Sequence, residues 1–172
     1  MPVKSRATAK HAGKGARVAN VRARWNEDVT RALEGGAIER AAANGAAVDV
    51  FEVAGSFELP PAVAMLADTG RYDAIVPLGC LIRGETPHFD VLANAIARSI
   101  AELAITYPIA IPFGVLTCDT MDQAMARAGG AEGNKGTEFM DAALEMVALR
   151  QAVASNSRSS RTRSNARSRS TR

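Results

Sequence analysis

From about residue 17 to residue 154, short apolar runs alternate with stretches whose apolar residues recur every three or four positions. This alternation limits the fold more than any other feature of the chain. An apolar run bounded by turn residues reads as a buried strand, and a three-to-four recurrence reads as a helix with one dry face. Ala74-Ile75-Val76-Pro77-Leu78 and Ile109–Leu116 are nearly all apolar, as strands covered on both faces must be. Pro77 fits such a ladder poorly, because it has no N–H to donate. Val48, Val50 and the Phe51/Val53 pair predict a further strand. Arg17–Arg24, which offers Val18 and Val21, is the most polar candidate and the poorest.

The intervening stretches read as helices. Asn26 predicts a helix cap, followed by Glu27 and Asp28 where carboxylates suit the positive end of the dipole. Val29, Leu33, Ala37 and Ala41 share one face, and Asn44-Gly45 stops that helix. Pro60-Pro61 opens a second helix that Gly70 closes. Pro87 opens a third, with Leu92, Ile96, Ile100 and Leu103 on one side and Asp90, Asn94, Arg98 and Glu102 on the other; Pro108 ends it. Asp119 or Thr120 caps a short helix reaching Ala128, and a last helix runs from about Asn134 to Ala154. Regular strand–helix succession implies parallel strands with right-handed crossovers, hence an α/β fold: a three-layer α/β/α sandwich around a central parallel sheet.

The formal net charge of +3 conceals a segregated chain. Residues 1–24 hold seven Lys/Arg and no acid, and residues 155–172 hold six Arg and no acid, so the body between them carries all 18 acids. Residues 1–16 lack a hydrophobic period, and the Ser/Arg-rich segment 155–172 has no apolar side chain larger than alanine. Both are expected to be disordered basic tails flanking one domain, 17–154. No apolar stretch is long enough to span a membrane, and the start lacks the apolar centre of a secretory signal. Cys80 and Cys118 have no metal-ligand spacing, so neither a metal nor a disulfide scaffold is expected, and a cytoplasmic location fits. The glycine-rich fingerprints of dinucleotide and ATP sites are missing.

Ligands of open parallel sheets bind beyond the carboxyl ends of the strands. Here those ends read Arg24-Trp25-Asn26, Gly55-Ser56-Phe57-Glu58, Gly79–His88 and Phe113–Thr120. All four should meet at one edge and form a small-molecule site. In Arg83-Gly84-Glu85-Thr86-Pro87-His88, a glycine before a helix start lets backbone N–H groups face an anion such as phosphate. His88 can carry protons near neutral pH, or simply cap the helix. Arg127 can clamp phosphate or stay solvated on the surface. Lys135, in Gly133-Asn134-Lys135-Gly136, can serve an anion loop or merely start a helix. Trp25 can stack on a planar ring or anchor a core. Glu58 can accept sugar hydroxyls or cap the next helix. Phe57 and Phe113 read most simply as core, and Cys80 and Cys118 as buried small hydrophobes.

Four segments taken together, Ala54-GSFELP-Pro61, Leu78-GCLIRGETPHFD-Val91, Pro112-FGVLTCDT-Met121 and Ala126-RAGGAEGNKG-Thr137, closely resemble the 6,7-dimethyl-8-ribityllumazine synthase family. The resemblance covers about residues 17–152 in order. It implies a flavodoxin-like fold and a cofactor-free, metal-free condensation in riboflavin biosynthesis. The substrates would be 5-amino-6-(D-ribitylamino)uracil and 3,4-dihydroxy-2-butanone 4-phosphate. By the family pattern, Trp25 would stack on the pyrimidine in place of the usual Phe. Ser56, Phe57 and Glu58 would hold the uracil and ribityl chain, and Cys80, Leu81 and Ile82 would line the ring. Glu85 and Thr86 would bind the butanone phosphate through N–H groups, with Arg127 as counter-charge. His88 would shuttle protons. Phe113 and Lys135 would lie at the pyrimidine site and, with Arg127, would come from the neighbouring subunit of a homopentamer, twelve of which can form an icosahedral 60-subunit shell. The alternative is a shell-forming scaffold of this fold whose basic tails bind nucleic acid, the arginine-rich C-terminal tail inviting weak phosphate contacts.

Overall fold

The computed structural model describes the backbone of residues 13–169 and the side chains of residues 13–155. His11 and the rest of residues 1–12, expected to belong to a disordered tail, lie outside the described residues, as do the side chains of the Ser/Arg segment beyond Ser155 and the whole of residues 170–172. Gly13–Gly15 form a turn, and Ala16 is already buried in the core, one residue ahead of the expected domain start.

Four parallel strands form one sheet in the order β2-β1-β3-β4: β1 Arg17–Ala23, β2 Ala47–Val53, β3 Ala74–Ile82 and β4 Val115–Cys118. Alternation along the strands divides the core into two. Val18 and residues 74, 76, 78 and 80 face α1 (Glu27–Ala43), α4 (Met121–Arg127) and α5 (Lys135–Arg169). Ala19, Val21, Ala23 and Ile75 face α2 (Leu59–Asp68) and α3 (His88–Thr106). The result is the three-layer sandwich that the alternating pattern implies. Val29, Leu33, Ala37 and Ala41 are all fully buried on α1, and Ile96 and Ile100 are buried on α3. Among the described residues no helix is long and apolar enough to cross a membrane, and no group of three His, Cys, Asp or Glu is placed to hold a metal.

Strand β1 departs from expectation. Its sequence is the poorest strand former, yet it pairs along its length with β2 and along most of it with β3. Two of its three polar residues, Asn20 and Arg22, are completely buried. Arg22 is accommodated by carboxylates: it pairs with Glu52 on β2, with Glu34 on α1 at 3.3 Å, and with Glu27 on α1 at 3.7 Å. A charge buried at that depth persists only when paired.

The fourth strand is shorter than predicted and shifted. The apolar run Ile109–Leu116 makes only an isolated bridge at Ala110, and regular pairing starts at Val115. Two residues explain the break. The N–H groups of Ile75 and Gly79 donate to Ala110 and Gly114, and Pro77, between them on the same side of β3, has nothing to donate. Opposite it the backbone comes so close that a Cβ at Gly114 would lie 2.1 Å from the Pro77 carbonyl oxygen. The proline is thus tolerated in an inner strand because its ladder is interrupted at that level.

Two further differences concern the C-terminal part. The glycine-rich loop folds as a small antiparallel ribbon, β5 Ala128–Gly130 with β6 Gly133–Asn134. Helix α5 does not stop at Ala154 but continues to Arg169, through a segment expected to be disordered. No proline or glycine follows Gly136, and arginine and alanine are good helix formers, so nothing in the sequence terminates the helix that the packed part nucleates.

Removing the guanidinium should expose how much the sheet relies on it. Arg22→Met is expected to cost about 3 kcal/mol, read from the urea midpoint at pH 7, because Glu34 and Glu52 lose their cation and Glu27 keeps only Arg31. Burial, the main cause, already raises the Glu34 carboxyl above its ordinary range, and Arg22 opposes that rise. Without Arg22 the folded-state value climbs further. A raised folded value favours the native state below the ordinary carboxylate range and is lost as pH rises through it. The deficit of Arg22→Met should therefore shrink as pH falls from 7 towards 4; a deficit that grows would contradict this account.

Candidate functional site

Strands β1, β2 and β3 end side by side, and the segments leaving them enclose a cleft of about 360 Å3. The β1–β2 ladder persists just past the strands: Arg24 N–H donates to Val53 O at 2.9 Å and Trp25 N–H to Ala54 O at 3.2 Å. This sets the indole beside Gly55, where an added Cβ would lie 3.7 Å from Trp25 Cδ1. Trp25 is 71% exposed, so its ring is available for stacking and does not anchor a core.

Asn26 takes the N-cap position of α1, but its side chain makes no cap. It adopts a left-handed backbone (φ 56°), the single non-glycine case among the described residues. Its amide donates instead to the Cys80 carbonyl at 2.9 Å. That bond ties the β1–α1 corner to the end of β3, across the floor of the cleft. Asparagine is among the few non-glycine residues that tolerate this conformation.

After β2, Ser56–Glu58 form one 3-10 turn leading into α2. Glu58 folds back so that its Oε2 accepts the Gly55 N–H at 2.9 Å. Ser56 is buried against Gly79, and its hydroxyl has no hydrogen-bond partner among the described residues although the residue lines the cleft. Phe57, expected as core, is 58% exposed at the rim. Cys80, Leu81 and Ile82 form the floor.

The third wall is the β3–α3 connection. Gly84 and Thr86 line the cleft; Glu85 between them does not. The N–H groups of Gly84, Glu85 and Thr86 meet no protein acceptor among the described residues, and Thr86 Oγ1 accepts the His88 N–H at 3.5 Å. Pro87, not His88, is the N-cap of α3. His88 is the first helical residue, and its side chain lines the cleft. Phe89 and Leu92, one and four positions on, complete the wall. Arg83 is held by Asp90 and Asp119, which raise its pKa, and the same bond lowers that of Asp90.

Three predicted residues do not reach this cleft in their own chain. The sequence puts Phe113 in the last half of a strand over 109–116 and in the segment at its carboxyl end, but the strand begins at Val115, so Phe113 precedes it, half-exposed and outside the cleft lining. Arg127, at the end of α4, donates to the Gln123 carbonyl at 3.0 Å. Lys135 Nζ is paired with Glu138 at 2.7 Å. The strand ends thus converge for β1, β2 and β3, while the end of β4 touches the site only through Arg83, which bonds the Cys118 carbonyl and Asp119.

Residues 15–151 match the family described as 6,7-dimethyl-8-ribityllumazine synthase. The chain belongs to that family. Among its relatives, the 6,7-dimethyl-8-ribityllumazine synthases of Anaeromyxobacter dehalogenans (strain 2CP-C) and Gemmatimonas aurantiaca are each 44% identical. The alignments cover 83% and 80% of this chain and 90% and 85% of the relatives. That of Anaeromyxobacter sp. (strain K) is 43% identical over 83% of this chain and 90% of its own length.

Against this lumazine synthase background, the cleft residues that sequence reasoning missed are Phe89 and Leu92; Asn26 and Gly55 lie within the strand-end segments expected to form the site, and Gly84 is the glycine expected to open the anion-facing turn. Helical spacing already placed Leu92 beside His88, but Leu92 was assigned wholly to the core. Nothing in the sequence marked Asn26 as a strand-linking residue, because an asparagine before two acids is also the ordinary helix-cap signal.

Burial, with Cys118 nearby, pushes the Cys80 thiol up to about 12, and burial also raises that of Cys118. Both should stay protonated and inert at neutral pH. In the native protein at pH 8 a thiol reagent is expected to label neither cysteine within minutes, whereas urea should release both. Rapid native labelling of Cys80, read by peptide mass, would show that the floor of the cleft opens.

Proposed function

We propose that the chain condenses 5-amino-6-(D-ribitylamino)uracil with 3,4-dihydroxy-2-butanone 4-phosphate to 6,7-dimethyl-8-ribityllumazine, phosphate and water, in riboflavin biosynthesis. The observation that carries this reading is the meeting, in one cleft, of an exposed indole, an unsatisfied serine hydroxyl, a loop of unpaired N–H groups and a histidine. Trp25 stacks on the pyrimidine. Ser56, Phe57 and Glu58 bind the uracil and its ribityl chain, over the floor made by Cys80, Leu81 and Ile82. Glu85 and Thr86 offer N–H groups to the phosphate.

The amine attacks the ketone carbon, and imine formation expels a water. Loss of the phosphate follows, and ring closure expels a second water. His88 carries protons between these steps. The demands are positioning, one proton carrier and a home for the leaving anion, all of which side chains and backbone can meet. We therefore read the condensation as cofactor-free.

Among the described residues, none that lines the cleft is a lysine or arginine. A leaving phosphate needs a counter-charge that this cleft does not supply. This supports a site shared between subunits of a homopentamer, with Phe113, Arg127 and Lys135 contributed by the neighbour. A 60-subunit shell is the larger assembly we infer, and native mass measurement reads both. Unpaired cysteines accord with a cytoplasmic location. A nucleic-acid-binding scaffold is not favoured: the family match spans the folded body and ends at residue 151, before the Ser/Arg tail that would make such contacts.

Mixing the two substrates and following lumazine fluorescence with phosphate release tests the reading. The protein should turn over without added metal or cofactor. His88→Ala should slow it roughly ten- to a thousandfold, with residual turnover from positioning alone. An inactive wild type, or a fully active His88→Ala, would refute the assignment.

A further inference from the structure

Arg83 opens the segment that carries Thr86 and His88, and the chemistry above gives it no task. Its Nε donates to Asp119 Oδ1 at 2.8 Å, its Nη1 to Asp90 Oδ2 at 2.9 Å and its Nη2 to Asp90 Oδ1 at 3.1 Å. The guanidinium carbon lies 4.2 Å from the centroid of the Phe89 ring. Its backbone N–H donates to the Cys118 carbonyl at 2.9 Å. One residue thus ties the end of β3 to the end of β4 and to the first turn of α3. It grips both ends of the bight Gly84–Pro87.

Charge excludes the obvious role. With two carboxylates bound, the Arg83 cluster carries a net negative formal charge, so it offers little attraction to a phosphate. Geometry suggests another. The N–H groups of Gly84, Glu85 and Thr86 are unpaired, and Gly84 has open space around its Cα. Such a bight is a strong anion cradle only if its shape is fixed before the ligand arrives; otherwise ordering entropy is lost on binding.

We propose that Arg83 is a positioning residue for the phosphate-bearing substrate, its fork to Asp90 and Asp119 and its stack on Phe89 holding the Gly84–Thr86 N–H groups in their binding arrangement. The inference rests on the cleft being the condensation site. The side chains of Arg83, Asp90 and Asp119 are 43%, 55% and 66% exposed. Exposed pairs contribute little to global stability, so the loss of this clamp should appear in binding and barely in unfolding.

The full-length protein and its variants Arg83→Gln, Arg83→Lys and Asp90→Asn are compared by steady-state kinetics, by calorimetric titration with inorganic phosphate, and by thermal melting. Arg83→Gln should raise the KM for the butanone phosphate and the Kd for phosphate by roughly tenfold, the loss of one charge-assisted contact. The KM for the uracil should stay within about twofold, and Tm should move little. Arg83→Lys should not rescue, because an ammonium neither forks nor stacks in this way. Asp90→Asn should weaken phosphate in the same direction. If Arg83 were itself a phosphate ligand restrained by its carboxylates, Asp90→Asn would tighten phosphate, and that result overturns the proposal. Equal rises in both KM values with a large fall in Tm overturn it as well, by showing a general structural role. A wild type without turnover sinks the functional reading alone, since the calorimetric comparison still reports on the clamp. An active wild type whose Arg83→Gln variant binds phosphate and both substrates normally sinks this inference alone.

Discussion

Arg22 brings a full positive charge into a strand that is paired on both sides, and three carboxylates from two other elements meet it there. An unpaired guanidinium at that depth would cost far more than a domain of this size has in reserve. The carboxylates of Glu27 and Glu34 fix the rotation of α1 over β1, and that of Glu52 fixes the register of β2 beside it. Glu27 is also the first residue of α1, directly after Trp25 and Asn26. The ionic knot therefore sits under the corner that carries the exposed indole. The position of Trp25 follows from how the sheet solves an electrostatic problem, and Asn26 then stitches the same corner to β3.

Much of the layer architecture is legible in the sequence because burial periodicity survives context. The face of α1 made by Val29, Leu33, Ala37 and Ala41, and that of α3 centred on Ile96 and Ile100, needed only helical spacing. What escaped is what depends on a partner in space. Arg17–Arg24 reads as a poor strand because propensity cannot foresee acids arriving from α1 and β2 to pair with Arg22. The break in β4 arises between Pro77 and Gly114, far apart in sequence, and only their close approach shows why pairing waits until Val115. The helix through Ser155–Arg169 follows from a missing stop signal, which a composition-based reading of disorder passes over.

The candidate site was legible in a similarly uneven way. Residues at the ends of β1, β2 and β3 could be assembled from the rule that ligands bind beyond strand ends, and they do line one cleft. The rule failed for Phe113 because it was applied to a strand over 109–116 whose start was misplaced. With β4 starting at Val115, Phe113 sits upstream of the strand and away from its own chain's cleft, half-exposed beside an irregular stretch. Neither Arg127 nor Lys135 lines it either.

What remains in the cleft is a division of labour between dipoles and charge. The chain's own walls supply donors and acceptors that are held in place by the fold: the bight of N–H groups, the Ser56 hydroxyl, and Glu58 pinned by Gly55. Among the described residues the walls hold one carboxylate, Glu58, and no lysine or arginine. Oriented N–H groups alone stabilise an anion modestly when the site stays open to water, because the solvent competes for it. A neighbour that brings an arginine and a lysine would exclude water and add charge in the same step. Assembly would then be part of the chemistry itself, and a monomer with every cleft residue intact would bind the uracil better than it could part with phosphate.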